Sequence, residues 1–150
     1  QPVVVAAQGR VGGGALGLLL AGDVVVAADD ALLDPGYLRS GLSPHGGWTA
    51  LLPARVGAGH TAQALLLDRP VDAVTAQDWG LVADRAPTAD LPARARALAR
   101  RIAQAPAAST RHGKALVRGD LAAIESALED ERLRLIQTVG ANPDPAGAIG

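Results

Sequence analysis

Gly9-Arg10-Val11-Gly12-Gly13-Gly14-Ala15-Leu16-Gly17-Leu18-Leu19-Leu20-Ala21-Gly22-Asp23 is the stretch on which the reading of this chain turns. A short apolar run over 2–7 precedes it, and its Val3-Val4-Val5 reads as a buried strand; a second β-branched run over 24–26 follows. Between the two there is room for a glycine turn and a helix of about two turns over 14–22, packed through Leu16 and Leu18 to Leu20. A glycine inside a helix costs roughly 1 kcal/mol relative to alanine, so Gly12, Gly13 and Gly14 suit a turn or a place where a ligand approaches the backbone. The first amides of a helix have no partner within it and lie at the positive end of its dipole. A bare glycine backbone there is a site for an oxygen carrying negative charge. Close packing of helix on sheet would account for the same glycines without any ligand.

Gly12, Gly14 and Gly17 also satisfy Gly-x-Gly-x-x-Gly, which raises a dinucleotide-binding alternative. That fold needs a longer crossover helix and an acidic residue about 20 residues on, whereas here the second strand follows roughly eight helical residues and Asp29 comes early for the acidic role.

Composition bounds the rest. With 150 residues, 49% of them hydrophobic, the chain can bury the core of one domain, with a helical appendage. A formal net charge of -1 without a block of like charges leaves no footprint for nucleic acid or an anionic membrane. No apolar run is long enough to span a bilayer, since Gly22 and Asp23 interrupt the run over 16–28. The absence of cysteine removes disulfides and thiolate metal sites and fits a reducing, cytoplasmic setting; no signal peptide is visible. The absence of methionine implies a piece of a longer protein. Phenylalanine is also absent, and with Tyr37, Trp48 and Trp79 as the aromatics, Leu, Val and Ala are expected to fill the core.

Along the chain, Ala31-Leu32-Leu33 reads as a short extended piece and Asp34-Pro35-Gly36 as a turn. Residues 37–40 continue as a short helical or irregular segment, and Pro44, Gly46 and Gly47 hold His45 on a rigid loop before a helix over 47–56. A second helix covers 60–67; Asp72 caps a third over 73–79, which Gly80 stops. Leu81-Val82-Ala83 returns as a strand. Past Pro87 the character changes. Asp90 caps a helix with Leu91, Ala95, Leu98 and Ile102 on one face, Pro106 breaks it, and a helix follows over 108–118. The last helix begins near Asp120 with Leu121, Ile124, Leu128, Leu135 and Val139 at helical spacing and stops in Gly140 to Pro145. Without a glycine loop or a cluster of convergent polar groups, these three helices read as a packing or assembly module, their stripe as intrachain core before subunit interface. The chain thus divides into an α/β part, 1–87, and a helical part, 88–150.

Several motifs in one order now point the same way: Gln1-Pro2-Val3-Val4-Val5-Ala6-Ala7-Gln8-Gly9, the helix start at Gly12-Gly13-Gly14, Leu20-Ala21-Gly22-Asp23, Gly41-Leu42-Ser43-Pro44-x-Gly46-Gly47, Leu52-Pro53-Ala54-Arg55-Val56-Gly57 and Trp79-Gly80-Leu81-Val82. This chain resembles the crotonase superfamily, the enoyl-CoA hydratase/isomerase relatives, over nearly its whole length. The resemblance implies an α/β fold, the later portion of a spiral of ββα turns, followed by an α-helical region that drives trimer formation. It implies an acyl-CoA thioester as substrate, coenzyme A being part of that substrate and no other cofactor being needed, and a homotrimer or dimer of trimers as the assembly. Family members polarise the thioester carbonyl with two backbone N–H groups and pass through an enolate-like intermediate. By position Gly14 supplies one donor, and the other is expected from a segment preceding Gln1. Gly12, Gly13, Gly36, Tyr37, Ser40 and Pro44 fall along the substrate with it.

The departures from the family pattern are specific. Where hydratases of this type carry their two glutamates, this chain has Gly17 and Tyr37. Where isomerase and dehalogenase relatives carry an aspartate, it has His45, leaving that imidazole as the acid/base candidate. An imidazole with an ordinary pKa near 6.5 can take a proton α to a thioester and return it at another carbon near neutral pH. Tyr37 either orients substrate or packs, and Asp34 is either an acid behind it or a turn former. His60 and His112 read as surface or packing residues, and three scattered histidines do not make a metal site. The reading that results is double-bond isomerisation of an enoyl-CoA, with Gly14, His45 and Tyr37 at the centre. Its rivals are a catalytically impaired acyl-CoA-binding or structural subunit, and a nucleotide-binding domain.

Overall fold

Two consecutive strand–strand–helix turns place everything that follows. In the computed structural model, which describes residues 1–141, the first turn is β1 (Val4–Ala7), β2 (Arg10–Gly12) and α1 (Ala15–Ala21). The second is β3 (Val24–Ala28), β4 (Leu32–Asp34) and α2 (Leu52–Leu66). Equivalent strands stack in parallel, Val4 opposite Val24 in one sheet and Arg10 opposite Leu32 in the other. Parallel neighbours require a crossover, and each short helix supplies it, so the chain winds as a spiral between two sheets. β5 (Val71–Asp72) closes the second sheet antiparallel to β4, and after α3 (Ala73–Asp78), β6 (Asp84–Ala86) extends the first in parallel beside β3.

Burial follows strand order. β3 lies between β1 and β6 and is buried from Val25 to Ala28, whereas β1 is an edge strand and only half-buried, less than its valine run led us to expect. α1 buries Leu16, Leu19 and Leu20 against Val25, Ala27 and Leu33, while Leu18 points outward. Leucine, valine and alanine fill most of the core as expected. Two aromatics join them, for Tyr37 is 3% exposed and Trp48 only 1%.

Four local expectations are corrected. Arg10 to Gly12, read as part of the glycine turn, pairs as a strand. The segment Leu81-Val82-Ala83 is not the strand itself: the amides of Leu81 and Val82 turn back to the Ala76 carbonyl and their side chains plug the core, so pairing begins with Ala83 N–H on Val25 O at 2.9 Å. Residues 47–51 form turns, and the helices placed over 47–56 and 60–67 are one element, α2, bent at Gly57, whose φ of 82° no ordinary side chain favours. Asp72 caps α3 through Thr75 N–H as expected, but Asp90 does not cap α4 (Leu91–Ala103): its own backbone is already helical, and its amide donates to Pro87 O at 2.8 Å.

α4 docks through Leu91, with Leu98 beside it, onto Val26 and Ala28. α5 (Ala107–Arg118) buries no residue; its Lys114 ammonium ties it to the Gln1 carbonyl and the Asp23 carboxylate at 2.9 and 2.7 Å. α6 (Leu121–Ala141) runs through Gly140 without stopping, and Pro143 and Pro145 of the expected stop lie outside the described residues. Its stripe is not intrachain core: Leu121, Leu133, Ile136 and Val139 are exposed, while Ile124, Leu128 and Leu135 are half-buried. Among the described residues no helix is long and apolar enough to cross a membrane.

Because Leu91 is the buried anchor of α4, Leu91→Ala is expected to lower stability by about 2–5 kcal/mol, the range for emptying a buried leucine site. Leu98→Ala, at a half-buried position, should cost less. Urea midpoints of the two variants, compared at constant m-value, check the order.

Candidate active site

The site is built where two glycine backbones meet. Gly14 stands at the N-terminus of α1 with helical φ and ψ, and the loop 45–47 lies directly against it. A Cβ on Gly17 would overlap the Gly46 carbonyl oxygen outright, and one on Gly46, whose φ is 72°, would stand 2.6 Å from the Gly14 Cα. Main chain therefore touches main chain, with no side chain between. That contact carries the imidazole of His45 onto Gly14: its Cε1 lies 3.6 Å and its Nδ1 3.9 Å from where a Gly14 Cβ would be. Gly14 is itself exposed, and among the described residues its N–H donates no hydrogen bond.

Trp48 and Tyr37 fix the two halves of this pair. The Trp48 indole donates from Nε1 to the Gly13 carbonyl at 2.8 Å. In a trans peptide the C=O and the N–H point in opposite directions, so holding the Gly13 carbonyl fixes where the Gly14 N–H aims. Tyr37 donates its hydroxyl to the His45 carbonyl at 2.6 Å and sets its ring edge-on between the His45 and Trp48 rings, centroids 5.1 and 5.9 Å away. Burial pushes the Tyr37 phenol above its ordinary pKa against the opposing pull of that hydrogen bond, and the Glu131 charge pushes it further. The hydroxyl stays a donor.

Glu131 is the group the sequence reading missed. Although no other side chain of α6 is buried, this one is 3% exposed, and its carboxylate accepts from the amides of Gly47, Thr49 and Ala50 at 2.7, 2.6 and 2.9 Å and from the Thr49 hydroxyl at 2.6 Å. The helical part was read as lacking convergent polar groups, and that is corrected here. The signal was present in the spacing: Glu131 falls on one stripe with Ile124, Leu128, Leu135 and Thr138, an ionisable residue on the inward face of a helix.

His45 is half-buried. Burial pulls its pKa below the ordinary 6.5, and the nearby Glu131 charge offsets part of that. Burial thus favours the neutral imidazole, the form that can accept a proton.

The remaining sequence candidates are distributed around this pair. Gly12 ends β2 opposite Asp34, Pro44 is half-buried beside His45, Gly36 lies under the Arg39 guanidinium, and the Ser40 amide closes the turn onto the Tyr37 carbonyl at 3.2 Å. Asp34 is neither turn former nor an acid behind Tyr37, for it ends β4, buried, with its carboxylate bracketed by Arg10 and, at 2.5 Å, Arg39. In the dinucleotide pattern Gly17 faces Gly46, α1 has 7 residues, and Asp29 pairs with Arg85 at 2.9 Å, which gives that alternative no support. His60 stacks on Trp79 with ring centroids 4.5 Å apart and His112 is exposed on α5. A cavity of about 670 Å³ opens between α1, the start of α2 and helices α4 to α6, and none of Gly14, Tyr37 and His45 lines it.

A family model described as enoyl-CoA hydratase/isomerase matches residues 1–143. The chain is 32% identical over 145 residues to a 4-chlorobenzoyl coenzyme A dehalogenase of an Arthrobacter species, covering 93% of this chain and 51% of that protein. It is 33% identical over 106 residues to a 1,2-epoxyphenylacetyl-CoA isomerase of Escherichia coli, covering 71% and 40%. Among solved structures, an enoyl-CoA hydratase/isomerase from Pseudoalteromonas atlantica matches with a TM-score of 0.89 at 27% identity over 99% of this chain and 60% of that one. The chain thus spans 51% of the dehalogenase's length, and the spiral followed by helices is the fold of these structures.

Replacing Gly17 tests the seam. An alanine would gain roughly 1 kcal/mol in helix propensity, but overpacking against main chain costs about 1–3 kcal/mol or more, so net destabilisation is expected. Gly17→Glu should likewise displace the loop, without gaining hydratase activity. Chemical denaturation and a hydration assay on both variants check this.

Proposed function

This chain belongs to the enoyl-CoA hydratase/isomerase family, and from that premise we propose that it acts on an acyl-CoA thioester, moving a carbon–carbon double bond through an enolate stabilised at Gly14. The observation that supports this reading is the imidazole of His45 lying against Gly14, an exposed residue whose N–H donates no hydrogen bond among the described residues. In the proposed reaction the thioester oxygen of a 3-enoyl-CoA accepts the Gly14 N–H, and a neutral His45 nitrogen removes a proton from C2. The electron pair delocalises onto the oxygen, and the imidazolium returns the proton at C4. Atoms balance, and nothing beyond the coenzyme A of the substrate is called on.

The relatives are named as hydratase, dehalogenase and isomerase, so the choice among those activities rests on this chain's own residues. Adding water with paired carboxylates has no support here: the Gly46 carbonyl fills the space beside Gly17, and Tyr37 is buried with its hydroxyl committed to the His45 carbonyl. Tyr37 then serves as a brace for the loop. Within the same proposal, the exposed apolar side chains of α5 and α6, Leu116, Val117, Leu133 and Ile136 among them, favour a homotrimer or a pair of trimers.

The expected result for the full-length protein is formation of the conjugated 2-enoyl-CoA, lost about 10²–10⁴-fold in His45→Ala, the usual contribution of a positioned base, and partly kept in His45→Asp. Since the neutral imidazole is the active form and burial lowers its pKa, kcat/KM should rise through a midpoint below pH 6.5 and be level at neutral pH. Equal rates for all three proteins would remove His45 from the reaction, and saturable acyl-CoA binding without turnover would leave a binding subunit. Sedimentation velocity checks the assembly; a monomer at working concentration would overturn the trimer.

A further inference from the structure

Glu131 has no part in the reaction as proposed, yet it is the buried ionisable residue of α6 and its four donors all belong to the loop that carries His45. We propose that Glu131 is a positioning residue for this site: from the C-terminal helix it locks the His45 loop against Gly14, so that the base is in place only when α6 is docked. This rests on the reading of His45 as the base.

Three observations carry it. First, the donors are the opening amides of a helical turn, closed by Leu51 N–H on Gly47 O at 2.9 Å, and these amides have no intrahelical acceptor. A carboxylate from elsewhere in the chain therefore acts as their N-cap, at the positive end of the turn's dipole. Second, burying a carboxylate is costly unless it is hydrogen-bonded, and here three donors converge on Oε1 and one reaches Oε2, so the contact is specific in register and not a loose apolar one. Third, α6 takes hold of the loop again at Thr138, whose Oγ1 accepts from the Ser43 N–H at 3.0 Å. Ser43 lies two residues before His45 and Gly47 two after. The imidazole is thus carried by a segment fastened to α6 at both ends, while Gly46 between them presses on Gly14.

Among titratable groups, Tyr37 on the preceding loop bonds the His45 carbonyl and Glu131 is the charge whose field reaches the ring; α1 presents glycine backbone there, with no acidic residue in its first turn. Removing the Glu131 charge while keeping its size should lower the His45 pKa further, because that charge raises it.

The test uses Glu131→Gln, Glu131→Asp and Thr138→Val in the full-length protein, with thermal unfolding to show that each folds, the pH dependence of isomerisation, and NMR titration of the His45 ring. In a folded Glu131→Gln, kcat should fall by about 10²-fold, what a misplacement of roughly 1 Å costs, with KM within about twofold and the acidic limb moved to lower pH. Glu131→Asp, which keeps the charge, should recover the pH limb and part of kcat; Thr138→Val should reduce kcat without moving the limb. A folded Glu131→Gln with unchanged kcat and an unchanged His45 titration overturns the proposal. Should His45→Ala be as active as the parent, the catalytic reading fails on its own, and the ring titration still decides whether Glu131 governs His45.

Discussion

The contact between the backbone of α1 at Gly14 and Gly17 and the backbone of the loop at Gly46 is the constraint on which the rest of this site depends. Two peptide chains can approach this closely only where neither carries a side chain, and the overlap that a Cβ at Gly17 would make with the Gly46 carbonyl shows how little room remains. From that distance follow the position of the imidazole over Gly14, the exposure of the Gly14 amide and the lack of space for a carboxylate at residue 17. The same glycines that weaken a seven-residue helix as a free segment give it a partner surface.

Polar groups do the aiming in an otherwise aliphatic interior. Trp48, Tyr37 and Glu131 each use hydrogen bonds to main chain, to the Gly13 carbonyl, the His45 carbonyl and the amides of Gly47, Thr49 and Ala50 respectively. Leucine and valine can fix how far apart two elements lie, but their contacts have no direction. A peptide plane held at one end by an indole N–H is oriented, and so is a turn whose first amides converge on one carboxylate. The buried charge of Glu131 is tolerated because those donors surround it, which makes the docking of α6 a matter of geometry more than of apolar area.

The helical part consequently has two faces with different duties. Its inward stripe, from Ile124 through Glu131 to Thr138, meets the loop and the α/β part, while Leu116, Val117, Leu133 and Ile136 face outward. In the proposed assembly another copy would cover that outward set, and such a contact would bear on α6 and through it on the His45 loop.

Sequence by itself determined β1, β3, α3 and the glycine start of α1, because valine runs, caps such as Asp72 and glycine turns act over a few residues and leave a local record. It also singled out Gly14 as a bare amide at a helix start and, through the family resemblance, His45 as the acid/base candidate. It misplaced β6, since whether Leu81 and Val82 pair or plug depends on what lies above them, and it read past Arg10 to Gly12, whose strand exists only because β4 lies alongside. The partners of Glu131 and Trp48 were beyond it for the same reason: they lie 84 and 35 residues away, and only the closed spiral brings those backbones within reach of a hydrogen bond.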